Sequence, residues 1–296
     1  MSLVSHAGLR KSVTGWLFAA PYVALLLAFG LVPAGYAIYE SMYTVAEPDQ
    51  LSLGNWELVF QDFRFWPAVT NVAIFMAIWI PVMIIGVLVL ALLLHEKVSR
   101  FSSGMRLVYF LPGAVTGSAA VLLWYFMLSP QLSPFKSALH AMGIESNNEM
   151  FTTNHLAPIF ALVAFMTGVG SWVVIMFGAI QAVPHDILEA ARIDGAGPVR
   201  IALRIKLPLV SKYVVYMTIL SFAFALQIFV EPQLFYSITN AGSDAWALNQ
   251  LGYAFAFQQG DFGQSAVIAV LLLVVSSAAA LWLVFRTHFF ETEVDA

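Results

Sequence analysis

The sequence predicts an all-α membrane protein with six transmembrane helices. Of its 296 residues 60% are hydrophobic and 10% charged, and mean hydropathy is +0.83, a composition that no soluble domain can pack. Six stretches nearly or wholly free of charge can each cross a ~30 Å hydrocarbon core at ~1.5 Å per residue. They cover residues 16–39, 67–94, 107–129, 156–181, 209–230 and 264–285. Lipid offers no partner to backbone N–H and C=O groups, so continuous apolar runs of this length are helices; a barrel needs short alternating segments.

Residues 1–15 form a short lead. The first span that follows is too long and lacks a small-residue cleavage site for a removable signal peptide, so it is expected to stay as a helix. Orientation follows the basic residues. With the N-terminus inside, Arg10, Lys11, Lys97, Arg100, Arg106, Arg192, Arg200, Arg204, Lys206, Lys212 and Arg286 are cytoplasmic, and only Arg64 and Lys136 are external. The net charge of -4 comes from external loops and the tail at 288–296, and no basic patch suits nucleic acid. The absence of cysteine removes disulfides and thiolate chemistry, and the six histidines show no metal-ligand spacing.

The external loop at 40–66 carries Leu53-Gly54-Asn55-Trp56 and Phe63-Arg64-Phe65-Trp66, a pattern for a helix lying in the interface. The second span has Pro81, the third Pro112, and Gly113 and Gly117 form a small-xxx-small pair expected at a helix contact. External loops at 130–155 and 231–262 are rich in turn formers and too short for domains.

Local chemistry is most legible between residues 182 and 207. Pro184 breaks the fourth span, and Asp186 is placed to cap a helix with Glu189 three residues on, at capping-box spacing. A helix of about two turns is expected from Ile187 to Ile193. Gly195 and Gly197 suit the positive φ that ends it, and Pro198 suits the first turn of the next. Ala190 and Ala191 are small, Ile187, Leu188 and Ile193 make an apolar stripe, and Glu189, Arg192 and Asp194 flank it. That describes a helix shaped for a groove on a partner, or alternatively a connector packed on its own bundle.

The run from Gln181 through Pro184, Glu189-Ala190-Ala191 and Asp194-Gly195-Ala196, with Pro208 twelve residues later, resembles the EAA loop of binding-protein-dependent ABC importer permeases. Leu53-Gly54-Asn55-Trp56, the run from Arg106 to Pro112, Trp124, Gln227-Ile-Phe229 and Ser237-Ile-Thr239 resemble the carbohydrate-uptake branch, which includes maltose and glycerol-3-phosphate permeases. One departure is Asn240-Ala-Gly242-Ser-Asp244, where the family often has Gly-Gly-Pro.

The resemblance implies a type I importer permease fold in the cell membrane, with a six-helix domain at 16–287, a coupling loop at 182–207 and a cytoplasmic tail. It also implies a second homologous permease, two cytoplasmic ATPases holding ATP and Mg, an extracytoplasmic solute-binding protein and a sugar substrate. No cofactor and no catalytic residue are expected on this chain, because none of its five lysines follows a glycine as a phosphate loop requires. Asp186, Glu189, Ala190, Ala191, Asp194, Gly195, Ala196 and Pro208 are the expected coupling residues. For Glu189 and Asp194 two roles stand: contact with the ATPase, or capping that holds the loop.

Polar groups within spans are costly unless they face protein or a wet cavity, which makes Asn71, Thr116, Trp172, Gln227 and Glu231 candidates for the solute path, with Ser118, Thr167, Ser171 and Ser221 beside them. Gln227 and Glu231 are four apart on one helical face, and Trp172 offers a stacking platform. The alternative for each is a bond to its own helix or a bridge between helices. No span carries a central Asp or Glu of the kind an ion-coupled secondary transporter needs, and no Arg or Lys lies deep within one, Lys212 standing at the cytoplasmic end of the fifth, which favours a neutral sugar over a glycerol phosphate.

Overall fold

A computed structural model describes residues 4–44, 50–96 and 100–287; expectations that fall on 1–3, 45–49, 97–99 or the tail at 288–296 lie outside the described residues. Five segments are long and apolar enough to cross a membrane, Gly15–Ser41, Phe65–His95, Thr153–Gln181, Ser211–Thr239 and Phe262–Arg286, and a bent helix pair supplies a sixth.

The lead is helical from Val4 and continues into the first span. That span widens to a π-helical turn at Leu27–Leu31, two residues before Pro33, whose ring cannot donate to or pack against the carbonyl four residues back. It stands on the outside of the bundle with its apolar stretch unburied. In the loop expected to hold an interfacial helix, a helix forms at Gly54–Gln61. Its Asn55 is buried and donates from Nδ2 to the Tyr43 carbonyl at 2.6 Å, against Gly263 at the start of the sixth span, so this amide is a structural tie.

The second span is unbroken from Phe65 to Glu96 despite Pro81 and buries Ala68, Val72, Phe75, Trp79, Met83 and Val87 at spacings of three and four. It packs most extensively on the fourth span, Thr153–Gln181. The pair interlocks reciprocally: a Cβ on Gly86 would meet the Phe165 ring at 2.6 Å, and one on Gly168 would meet Met83 at 2.8 Å. Close packing of this kind holds helices together in lipid, where apolar burial alone does not.

The third span departs from the continuous helix expected at 107–129. It splits into Leu107–Ala114 and Gly117–Leu128, bent by 106°. Pro112 removes a backbone donor, Thr116 is extended, and Gly117 reverses the chain at φ +60. Gly117 therefore serves chain reversal rather than the helix contact expected of it, and nothing lies within 4 Å of its would-be Cβ. Gly113 does make the contact, since a Cβ there would lie 2.5 Å from the Thr167 carbonyl.

The fifth span also breaks. A helix at Ser211–Leu226 stops at Gln227, and a new one runs Val230–Thr239, well beyond the expected end at 230. Asn240, at φ 53, terminates it in the left-handed conformation. The expected loop that follows is instead largely packed inside: Trp246, Ala247, Leu251 and Phe255 are buried, with Phe160 edge-on to Trp246 at 4.9 Å. Its apolar run is too short to span and folds back into the external end of the bundle. The sixth span, Phe262–Arg286, starts at Asp261, whose carboxylate accepts from the Gln264 N–H at 2.9 Å.

Candidate solute cavity and coupling helix

The charged segment folds as a helix at His185–Ile193. Asp186 is not its N-cap. Pro184 occupies that position without a side-chain bond, the helix begins two residues earlier than expected, and Asp186 falls in the first turn, where its charge complements the helix dipole. The other end closes through the backbone. Gly195 at φ +78 donates to Arg192 O at 3.0 Å and Ala196 to Ala191 O at 2.9 Å, the double bond pattern of a Schellman turn. Gly197 has an ordinary φ of -71, unlike the expectation, and precedes Pro198 at the first position of the next turn.

Neither Glu189 nor Asp194 supplies a side-chain cap here; both are exposed, as is Ala190. The apolar stripe is split between two faces. Leu188 is 3% exposed and anchors the helix in its own bundle, whereas Ile193 is 86% exposed. Ala191 and Ala196 lie half-buried between them.

Past the second turn the chain widens again to a π-helical turn at Ala202–Lys206, and Pro208 follows two residues later, the same offset as Pro33 from its own π turn. Pro208 thus explains the local geometry: it cannot close the α-helical bond to Arg204. The turn buries Lys206, whose Nζ lies 3.1 Å from Nδ1 of His95 at the cytoplasmic end of the second span. Sequence reasoning counted Lys206 only as a loop charge. A basic residue two positions before a helix-interrupting proline is the signal that was present.

Between the third, fourth and fifth spans lies a cavity of about 530 Å³, bounded by both helix breaks. Thr116, Trp172, Gln227 and Glu231 all line it. Asn71 does not: its Nδ2 donates to the Trp246 carbonyl at 3.1 Å, tying the second span to the last external segment. Ser118 and Ser171 are exposed elsewhere, and Thr167 lines the wall while bonding back to Val163 O at 2.9 Å.

Two wall residues carry polar atoms without a partner. Ser221 Oγ and Trp79 Nε1 are buried and unbonded, and such groups cost free energy until something satisfies them. Trp79 went unrecognised in the sequence; its mid-span position, away from the interfaces where tryptophan usually sits, was the available clue. Trp79 leans on Phe224 at 5.3 Å and Trp172 meets Tyr216 edge-on at 5.9 Å, so aromatic rings stand on two sides.

The fifth-span break opens toward this cavity. Its exposed carbonyl at Gln227 is satisfied by Asn249 Nδ2 at 2.7 Å, from the segment between the fifth and sixth spans.

The chain resembles proteins of one kind over nearly its whole length. It is 27% identical over 294 residues to the probable ABC transporter permease protein YurN of Bacillus subtilis, covering 96% of this chain and 98% of that one. To the sn-glycerol-3-phosphate transport system permease protein UgpA of Yersinia pestis it is 28% identical, with 92% of each chain covered. To the lactose transport system permease protein LacF of Rhizobium radiobacter it is 27% identical, covering 93% and 95%. In fold it is similar to a chain of a bacterial alginate ABC transporter solved in complex with an alginate pentasaccharide-bound periplasmic protein, at a TM-score of 0.79, 16% identity and 94% coverage of both chains. The family model for binding-protein-dependent transport system inner membrane components matches residues 60–287, and the chain belongs to that family.

Proposed function

We propose that this chain is one of two permease subunits of an ATP-driven importer and that its solute is a sugar, which crosses through the cavity at the two helix breaks. A second, homologous permease completes the path, an extracytoplasmic binding protein delivers the solute, and two cytoplasmic ATPases holding ATP and Mg drive the cycle. The chain itself catalyses nothing.

The observation that carries the sugar reading is the cavity wall, on which the accessible polar groups of Thr116, Gln227 and Glu231 stand with the Trp172 ring. A sugar offers hydroxyls to those polar groups and a C–H face to lie against the ring. The lactose and glycerol-phosphate relatives handle small polyhydroxylated solutes of the same general kind.

ATPase closure would press on the exposed face of helix His185–Ile193 around Glu189 and Ile193. Leu188 passes the displacement into the bundle, and the turn before Pro208 passes it through Lys206 to His95 on the second span. Rigid movement of those spans switches the cavity between outward and inward access.

The test is sugar-stimulated ATPase activity of the copurified complex with its binding protein, across a panel of sugars and glycerol phosphates. One sugar should stimulate, and T116V and Q227L should each raise its half-saturating concentration by about fivefold to tenfold, the loss of one hydrogen bond. Stimulation indifferent to both substitutions would remove the cavity from the path. The glycerol-phosphate reading has the Yersinia relative in its favour and predicts that glycerol-3-phosphate is the stimulating solute.

A further inference from the structure

We propose that Glu231 is a charge filter that makes the cavity reject anionic solutes, so that the transported class is uncharged or amine-bearing sugars. The proposal rests on the cavity being the solute site.

Glu231 sits immediately after the fifth-span break, in the first turn of helix Val230–Thr239. Among the described residues it is the sole ionisable one lining the cavity, where no described Lys, Arg or His accompanies it. Nor does it form an ion pair elsewhere: among the described residues the ion pair found is Arg64 with Asp62, at the external end of the second span. The buried Pro232 follows directly and fixes the backbone beside it. The carboxyl group is therefore held at the cavity wall with no opposite charge from this chain beside it, and the filter acts when that group is ionised, so the probes below are compared at pH ~8.

A cavity of about 530 Å³ has the volume of a sphere about 5 Å in radius, so a solute that fills it lies within a few ångströms of the carboxylate. At that range, with water largely displaced, a phosphate or uronate group on the solute is strongly repelled. Hydroxyl groups have the opposite effect. Ionised Glu accepts only, through two oxygens, so two neighbouring hydroxyls of a sugar can donate to it together, and an ammonium can do so with charge assistance. Gln227 stands four residues earlier on the same wall, across the helix break rather than on one helical face with Glu231 as expected, and adds an amide that both donates and accepts.

The experiment measures equilibrium binding of radiolabelled probes to the purified complex of this chain with its partner subunits in nanodiscs, without binding protein. The uncharged probes are lactose, arabinobiose and diacetylchitobiose, the amine-bearing probe is chitobiose, and the anionic probes are glycerol-3-phosphate and a diuronate.

Wild type should bind its best non-anionic probe at least about tenfold more tightly than either anion. E231Q, which keeps the shape and removes the charge, should reduce that ratio to about threefold or less, and E231K should invert it. Copurification of all subunits checks that each variant assembles. An anion that binds wild type as tightly as the best sugar overturns the proposal, as does a ratio unchanged in E231Q. Failure of wild type to bind any probe saturably overturns the cavity reading itself, a result distinct from loss of discrimination.

Discussion

Asn249 donates its side-chain amide to the backbone carbonyl of Gln227 at 2.7 Å, so the segment between the fifth and sixth spans supplies the hydrogen bond that the fifth span gives up where it breaks. The same segment holds the second span, through the Trp246 carbonyl to Asn71 and through Arg64 over the Phe255 ring at 5.2 Å. The external end of the bundle and the polar end of the cavity are thereby one mechanical unit.

Asn249→Asp keeps the size and loses the donor, placing a negative charge against a carbonyl. It should weaken sugar stimulation of the ATPase several-fold and lower stability by about 1–2 kcal/mol, read as a lower melting temperature of the complex. Asn249→Ser, which can still donate, should recover part of both.

Two glycines seat the first half of the third span on the fourth. A Cβ on Gly170 would collide with the Tyr109 carbonyl and the Phe110 Cα, and one on Gly113 would meet the Thr167 carbonyl at 2.5 Å. Gly170→Ala and Gly113→Ala should each cost about 1–3 kcal/mol by overpacking against backbone that cannot turn aside. Gly117→Ala meets no neighbour and should cost about 1 kcal/mol through its positive φ alone. Thermal unfolding of the three variants checks the order.

The Arg64 guanidinium beside Asp62, with bonds at 2.8 and 3.0 Å, holds the Asp62 carboxyl below its ordinary value. A depressed folded-state pKa gives stability that is full above the unfolded value of about 3.9 and disappears as pH falls through the folded one. The pair is partly solvated, so its contribution is at most about 1 kcal/mol. The melting temperature of wild type should exceed that of Asp62→Asn at pH ~6, and the gap should close as pH drops below ~4.

The second, fourth and sixth spans were legible because each is an uninterrupted apolar run, and length with composition decides such helices. The turn after helix His185–Ile193 was legible at Gly195, where one residue type answers one backbone need. Other features were hidden for a common reason: hydropathy records how apolar a residue is, not which way it faces. Trp79 reads like any wall of a greasy helix, the run around Trp246 reads like a loop because it is too short to cross, and the 106° bend at Pro112 to Gly117 lies inside a stretch with no charge to mark it. Asp186 misled through spacing, since Pro184 took the cap position first. Of the candidate path, the residues beside the two breaks meet at the cavity, while Asn71 is claimed by a backbone carbonyl that no local pattern reveals.

The most direct test of the account is to charge the exposed face of the coupling helix and follow subunit assembly and sugar uptake together. Ile193→Asp, and the double reversal Glu189→Lys with Asp194→Lys, alter side chains that make no capping bond within the chain, so the permease should fold and insert normally. Leu188→Asp, which buries a charge, should instead destroy the fold. The account predicts that the first two variants lose the ATPase subunits on copurification and lose uptake. Full assembly with wild-type uptake in both would contradict it.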